Sequence, residues 1–335
     1  MRRLLQLLIT VLLYLLLISA NESINKKYAL TACAMIRNEL HLILEWIEFH
    51  RIQGVDHFIF YDDDSTDDIY LLPRLYADQG HPDLVEVFPA NFRRYNQASN
   101  RRYDDYLETQ LLALDHCNSR MSNVSQWLLI TDVDEFTFSP KYHTIAAYLR
   151  QYATDETTRE IHVPTIRFGS SGVQRENRMR LSLDPYENCI TVITEFHNNH
   201  LLLTARNTKR GPVKSLDKDY NQRFKEVCAP PVNASDCHHA EGKSIWRPEM
   251  CGLAGIHRCL RPRGGRALRP SVKELRINHY AFRSKEHVGR LEHQIAVVKG
   301  AVFDALDKVW FSSVPDNSTE PYHEELMSRL RLLMT

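Results

Sequence analysis

Residues 28 to 61 constrain the fold more than any other part of this 335-residue chain. Tyr28 to Ile36 is a near-continuous apolar run that reads as a buried strand. Glu39 to Gln53 carries apolar residues at 40, 43, 44 and 47, the spacing of one helix face. Asn38 can cap that helix and Gly54 can end it. Val55 to Tyr61 then reads as a second strand. Strand, helix, strand in this order predicts a βαβ unit, and with it a parallel sheet carrying helices on its faces.

The α/β pattern continues with a helix around Asp68 to Gln79, a short strand Leu84 to Phe88, a long helix around Gln97 to Cys117 and a strand Trp127 to Thr131. After Pro140 it weakens to a helix Thr144 to Tyr152 and strands near Ile161 to Phe168 and Cys189 to Phe196. Irregular sequence follows to about 275, and a final helix Lys285 to Val298 closes the ordered part. No Gly/Ser/Pro-rich linker or repeat divides the chain.

In such a sheet a binding crevice lies at the carboxyl ends of the strands, which selects among three D-x-D patterns. Asp62-Asp63-Asp64 sits in an acidic loop, and Asp217-Lys218-Asp219 lies in a polar stretch with no strand before it. Asp132-Val133-Asp134 directly follows a hydrophobic strand, so its carboxylates can hold a divalent cation against a diphosphate. Glycine-rich dinucleotide and P-loop fingerprints are missing, so a nucleotide must be held another way. An EF-hand loop starting at Asp62 is excluded, because Asp67 stands where its Gly belongs and Pro73 where its Glu belongs.

Lys plus Arg and Asp plus Glu number 42 each, so no global basic field points to nucleic acid as a partner. Met1-Arg2-Arg3 precedes an apolar run from Leu4 to Ile18, which directs the chain into the secretory pathway. Residues 1–20 read as a retained signal-anchor with the N-terminus cytosolic; a cleaved signal and a secreted protein are the alternative. Residues 21–27 would be a very short stem, 28–300 the catalytic domain and 301–335 a C-terminal tail. Sequons at Asn21, Asn123, Asn233 and Asn317 fit a lumenal surface. Seven Cys fit an oxidising compartment. Cys33, inside a buried strand, is expected to be the unpaired one, and Cys228, Cys237, Cys251 and Cys259 to form two disulfides. Zinc is the rival for that cluster, with His238, His239 and His257 nearby, but no C-x2-C pair supports it.

Four stretches together resemble glycosyltransferase family 92, formerly domain of unknown function 23, and related family-2-like transferases. They are Cys33 to Glu39 with Glu45 to His50; Gly54 to Ser65; Trp127 to Phe136; and Ile277-Asn278-His279-Tyr280 followed by Ser284. The resemblance implies a GT-A fold, a Rossmann-like nucleotide-sugar half fused to an acceptor-binding half around a mixed central sheet. It also implies a divalent metal, manganese with magnesium the alternative, a UDP-sugar donor and inversion at the anomeric carbon. The expected protein is a Golgi single-pass type II membrane enzyme moving a hexose, galactose favoured, to a glycan or glycoprotein acceptor. The rivals are a catalytically silent glycan-binding domain and a nucleotidyltransferase.

Within that reading Asp134 is the expected direct metal ligand, and Asp132 touches ribose or metal through water. The later His ligand is His257 or His279, with His257 slightly preferred. Asp62 and Asp63 are expected at uracil or ribose, and Asn38 and Glu39 at the nucleotide. Lys214 resembles the family's lysine that offsets diphosphate charge. Glu195, ending an apolar strand, is the candidate base, with Glu249 and Asp236 as rivals. Phe168 to Gly172 reads as a flexible loop over the sugar, Arg101-Arg102 as a solvated helix face, and Trp46 and His50 as packing residues. Asp64, Asp67 and Asp68 read as a solvated helix start.

Overall fold

The computed structural model describes residues 26–90, 102–184, 188–195, 202–210, 242–280, 282–284, 286–287, 312 and 314–334, without the side chains of 102–106, 195 and 206. Strand β1 (Tyr28–Ile36), helix α1 (Leu40–Ile52) and strand β2 (His57–Asp62) form the predicted unit, with β1 and β2 parallel. Helix α2 (Leu72–Asp78) leads to β3 (Val85–Pro89), parallel to β2. Helix α3 (Arg102–Met121) leads to β4 (Ser125–Ile130), parallel to β1. Side chains alternate across β1: Leu30, Ala32 and Ala34 pack on the α1 face, with Trp46, Phe58 and Phe60. Cys33 and Met35 pack on the opposite face against α3, with Ala113, Leu114 and Cys117.

The second half turns this parallel sheet into a mixed one, as the GT-A expectation requires. Strands β5 (Glu135–Phe138), β6 (Thr158–Val163) and β7 (Thr165–Arg167) flank the short helix α4 (Ile145–Leu149). Strands β8 (Arg178–Leu183) and β9 (Ile190–Glu195) form an antiparallel hairpin. Helix α5 (Leu203–Arg206) and β10 (Lys209–Arg210) follow. The stretch expected to be irregular contains β11 (Lys243–Trp246) and β12 (Arg266–Leu268), and β13 (Arg276–His279) follows it. The large sheet has the order β12-β6-β11-β4-β1-β2-β3, with β11 antiparallel to both neighbours. A second sheet, β5-β13-β7, lies beside it. Strands of three or four residues are too short for periodicity to reveal, and each exists only because a neighbour supplies its hydrogen bonds.

The C-terminal end also departs from expectation. Of the predicted helix Lys285 to Val298, only Glu286 and His287 are described, and they are helical. Residues 301–335 do not behave as a tail throughout, because β14 (Val314–Pro315) pairs with β10 and α6 (His323–Met334) packs on α1. Leu326, Leu330 and Leu333 of α6 are buried, one helical face at i, i+4 and i+7.

Cys33 is not the unpaired cysteine. It bonds to Cys117 across the β1–α3 contact, a pairing of residues 84 apart that only the packing of α3 brings together. Cys251 and Cys259 form a disulfide, as expected of that cluster, and Cys189 is free and exposed. Asn123 and Asn317 are exposed. Residues 1–25, Arg101, Lys214, Asp217, Asp219, Cys228, Asn233, Asp236, Cys237, His238 and His239 lie outside the described residues. Among the described residues no helix is long and apolar enough to cross a membrane.

Candidate active site

The loops after β1, β2 and β4 meet at the carboxyl edge of the parallel strands. After β4 the chain makes a tight turn in which the Glu135 N–H donates to the Asp132 carbonyl at 3.0 Å. The buried Glu135 carboxylate reaches back, accepting from the Asp132 N–H at 3.0 Å and the Thr131 hydroxyl at 3.1 Å. Trp46 supports the turn from α1, its indole N–H donating to the Glu135 carbonyl at 2.9 Å. Trp46 and His50 are therefore packing residues, as expected.

The two aspartates of the turn face different partners. Asp132 accepts from the Lys243 ammonium at 2.8 Å, and the same nitrogen lies 3.7 Å from Glu135. Lys243 heads β11 and only 3% of its side chain is exposed, so this lysine is a built-in counter-charge. Burial alone would lower its pKa, but the Glu135 and Asp132 charges outweigh that and raise it. Asp134 faces β13, its Oδ2 3.5 Å from His279 Nε2. Burial would raise the Asp134 carboxyl, but the His279 charge and hydrogen bond, then Arg283 and His287, hold it well below the ordinary carboxylate range. His279 is correspondingly raised: burial works against the charge, and Asp134 and Glu135 win.

His279 is thus the histidine that tertiary structure brings to Asp134. The pairing of β13 with β5 sets His279 opposite Glu135. His257, preferred from sequence, is exposed on the loop after β11 and has its Nδ1 3.3 Å from the Gly242 carbonyl. Among the described residues no three His, Cys, Asp or Glu side chains converge to hold a metal ion by themselves. Asp134 and His279 nevertheless fit a divalent cation as a two-donor set. Carboxylate oxygen and imidazole nitrogen suit manganese, an octahedral ion accepts few protein ligands and keeps positions for phosphate oxygens, and it is His279 Nε2 that faces the Asp134 carboxylate, while Nδ1 lies 3.8 Å from Glu135.

Beside this pair lies an ion network that sequence reasoning missed. Arg283 donates to Glu39 at 3.2 Å, and its Nε lies 2.9 Å from the Glu176 carboxylate as an ion pair. His41 stands 3.8 Å from Glu176, and His287 3.9 Å from it. Burial raises Glu39 despite Arg283, whereas Glu176, also opposed by burial, is pulled down by the His41 hydrogen bond and by Arg283. A cavity of about 580 Å³ opens here, lined by Asn38, His41, Asp67, Glu176, Arg178 and Ile193 among others. Nothing local marks these residues, since Glu176 precedes β8, Arg283 follows β13 and no periodicity joins them.

Asn38 takes a left-handed backbone, φ 56°, and does not cap α1. Its side-chain oxygen accepts from the Thr66 N–H at 2.7 Å and the Thr66 hydroxyl at 3.0 Å, tying the β1 and β2 loops together. The first turn of α1 is instead closed by Asp67, which accepts from the Leu40 N–H at 3.0 Å, so Asp67 is more than a solvated helix start. Asp62 and Asp63 are buried at 5% and 2% exposure. Asp62 accepts from the Ser65 N–H at 3.0 Å and Asp63 lies 3.4 Å from Arg37, so both shape the loop. Glu195 ends β9 opposite Arg178. The rival Glu249 pairs with Lys26 at 2.6 Å, beyond the far end of β11 and away from Asp132, which removes it as a base. The Phe168 to Gly172 segment is tied down, with the Gly169 N–H donating to the Lys209 carbonyl at 3.2 Å and Ser170 buried.

The sequence pattern of glycosyltransferase family 92 matches residues 28–328. A glycosyltransferase family 92 protein of Ricinus communis is 28% identical over 155 residues, which span 44% of this chain and 24% of the relative. One of Oryza sativa subsp. japonica is 26% identical over 147 residues, 44% of this chain and 22% of the relative. The chain therefore spans about a quarter of the length of these curated relatives. Among solved structures, the mannosyltransferase PcManGT from Pyrobaculum calidifontis in complex with GDP-Man and Mn2+ is 13% identical, covers 92% of this chain and 74% of that chain, and has a TM-score of 0.40. Glucosyl-3-phosphoglycerate synthase from Mycobacterium tuberculosis is 12% identical, with 82% coverage of each chain and a TM-score of 0.31.

Proposed function

The chain belongs to glycosyltransferase family 92, and from that membership we propose that it transfers a hexose, galactose favoured, from a UDP-sugar to a glycan or glycoprotein acceptor with inversion. The observation that carries the reading is the Asp134–His279 pair, 3.5 Å apart at the carboxyl edge of the parallel strands. These two residues would hold the divalent cation, manganese favoured, which when bound neutralises the charge developing on a departing diphosphate.

The chain's own residues do the rest. Asp132, anchored by Lys243, is oriented toward the ribose. Asp62 and Asp63 shape the β2 loop beside the base, and Asn38 fixes the spacing of the two loops. Arg283 adds positive charge near the leaving group, and its clamp between Glu39 and Glu176 keeps it in place. Glu195, at the end of strand β9, is the proposed acceptor base. Membrane attachment through residues 4–20 with a lumenal Golgi domain accompanies this reading, secretion being the alternative.

Titration of UDP into the full-length chain with and without manganese tests it. Wild type should bind UDP more tightly with the metal, Asp134→Ala and His279→Ala should lose that enhancement, and His257→Ala should keep it. Asp134→Asn should leave the fold intact while UDP release from a screen of nucleotide sugars disappears. Binding that is metal-independent in wild type and Asp134→Ala alike would overturn the mechanism and favour a silent glycan-binding domain.

A further inference from the structure

The strongest segregation of charge outside the cleft lies between Met250 and Lys273. That stretch holds five Arg, one Lys and no Asp or Glu, in a chain whose 42 basic and 42 acidic residues balance. Arg266 is engaged with Asp155 at 2.9 Å. Arg258, Arg261, Arg263 and Arg269 are exposed and, among the described residues, make no ion pair. Like charges this close along the chain favour an anion that neutralises them.

The loop that carries them is built into the fold. The Cys251–Cys259 disulfide closes it, the Gly252 N–H donates to the Arg261 carbonyl at 2.7 Å, and the Arg263 N–H donates to the Met250 carbonyl at 2.8 Å. Helix α3 holds it from beneath, Asn118 donating to the Cys251 carbonyl at 3.0 Å and Asp115 accepting from the Ala254 N–H at 2.9 Å. Binding would therefore cost side-chain ordering and little backbone ordering.

Its placement connects it to the reaction site. The His257 carbonyl accepts from the Ser244 hydroxyl at 2.8 Å, and that hydroxyl lies 2.9 Å from His162 Nδ1. Ser244 adjoins Lys243, which holds Asp132. Arg269, Arg258 and Arg159 surround His162 and, behind burial and against Glu160, help keep its ring below the ordinary value. A basic surface thus begins beside the start of β11, on the face opposite the Lys243 side chain, and passes His162 of β6, with Arg258 and Arg269 nearby.

We propose that this surface binds a linear acidic glycan, one bearing sulfate or carboxylate groups at intervals, and guides such acceptors to the cleft. The proposal rests on the glycosyltransferase reading above. Guanidinium forks match planar oxyanions two hydrogen bonds at a time, and four exposed ones on residues 258–269 suit a polymer better than a single small anion. An anionic membrane fits less well. Its negative surface potential belongs to the cytoplasmic leaflet, whereas the domain is proposed to be lumenal, and Leu260 at 48% exposure falls short of the apolar face that interfacial elements carry.

The test titrates a heparin-derived decasaccharide and a neutral chito-oligosaccharide into the full-length chain, without donor or metal, and adds flotation with phosphatidylserine-containing vesicles. Wild type should bind the acidic decasaccharide alone, with affinity falling on the order of tenfold or more between about 50 and 200 mM salt. The variant Arg258→Gln/Arg261→Gln/Arg263→Gln/Arg269→Gln should bind about tenfold or more weakly at low salt, and the control Arg150→Gln/Arg331→Gln should match wild type. Should the quadruple variant melt early, Arg261→Gln alone should still weaken binding about twofold or more. No binding by wild type, equal loss in the control, or binding only to vesicles overturns the proposal. UDP release measured on the same protein separates the two readings: transfer without decasaccharide binding sinks the basic surface alone, and binding without transfer sinks the enzyme.

Discussion

His50 shows how a buried residue chooses its state from its partners. Its Nδ1 lies 2.9 Å from the Trp46 carbonyl and its Nε2 accepts from the Thr137 N–H at 3.2 Å. One nitrogen donates and the other accepts, so the ring must be neutral. Burial lowers its pKa from 6.5 to about 3. Between those values the unfolded chain binds a proton that the folded chain refuses, so stability falls as pH drops from about 6.5 toward about 3. Urea midpoints should decline across that window, and less steeply in His50→Gln. Lys243 poses the opposite case, a buried cation between Asp132 and Glu135. Lys243→Met should destabilise by about 3–5 kcal/mol by leaving Glu135 uncompensated, and Lys243→Met/Glu135→Gln should recover much of it in equilibrium unfolding. The aspartates were legible because they end a hydrophobic strand. Lys243 was not, since one lysine ahead of Ser-Ile-Trp carries no local signal.

Elements were read well where they were long and periodic, as in β1, α1 and β4, and poorly where neighbours create them. Strand β11 has four residues and joins two halves of one sheet. Strand β13 has four residues and delivers His279 to Asp134. Helix α6 is the element the tail expectation passed over, although Leu326, Leu330 and Leu333 already stand on one helical face. Leu330 is fully buried, so Leu330→Ala should cost about 2–5 kcal/mol, and thermal melts should show it. An unchanged melting temperature would mean that α6 does not contribute to the domain core.

For the whole molecule, the Cys33–Cys117 bond ties the central strand to the helix that covers one face of the sheet, closing a loop 84 residues long. Closing so long a loop restricts the unfolded chain, so Cys33→Ala/Cys117→Ala should lower stability by about 2–4 kcal/mol. Non-reducing peptide mapping should find the linkage in wild type. A free thiol at Cys33 would restore the expectation drawn from its place in a buried strand.

Sequence by itself determined the βαβ opening and the place of Asp132-Val133-Asp134 at the carboxyl end of a buried strand, because periodicity and strand ends are local properties of a chain. Tertiary structure decided that His279 and not His257 meets Asp134, that Lys243 holds Asp132, and that Cys33 is bonded. Each of those outcomes depends on which distant strands and helices pack side by side, and neighbouring residues in the chain carry no record of that choice.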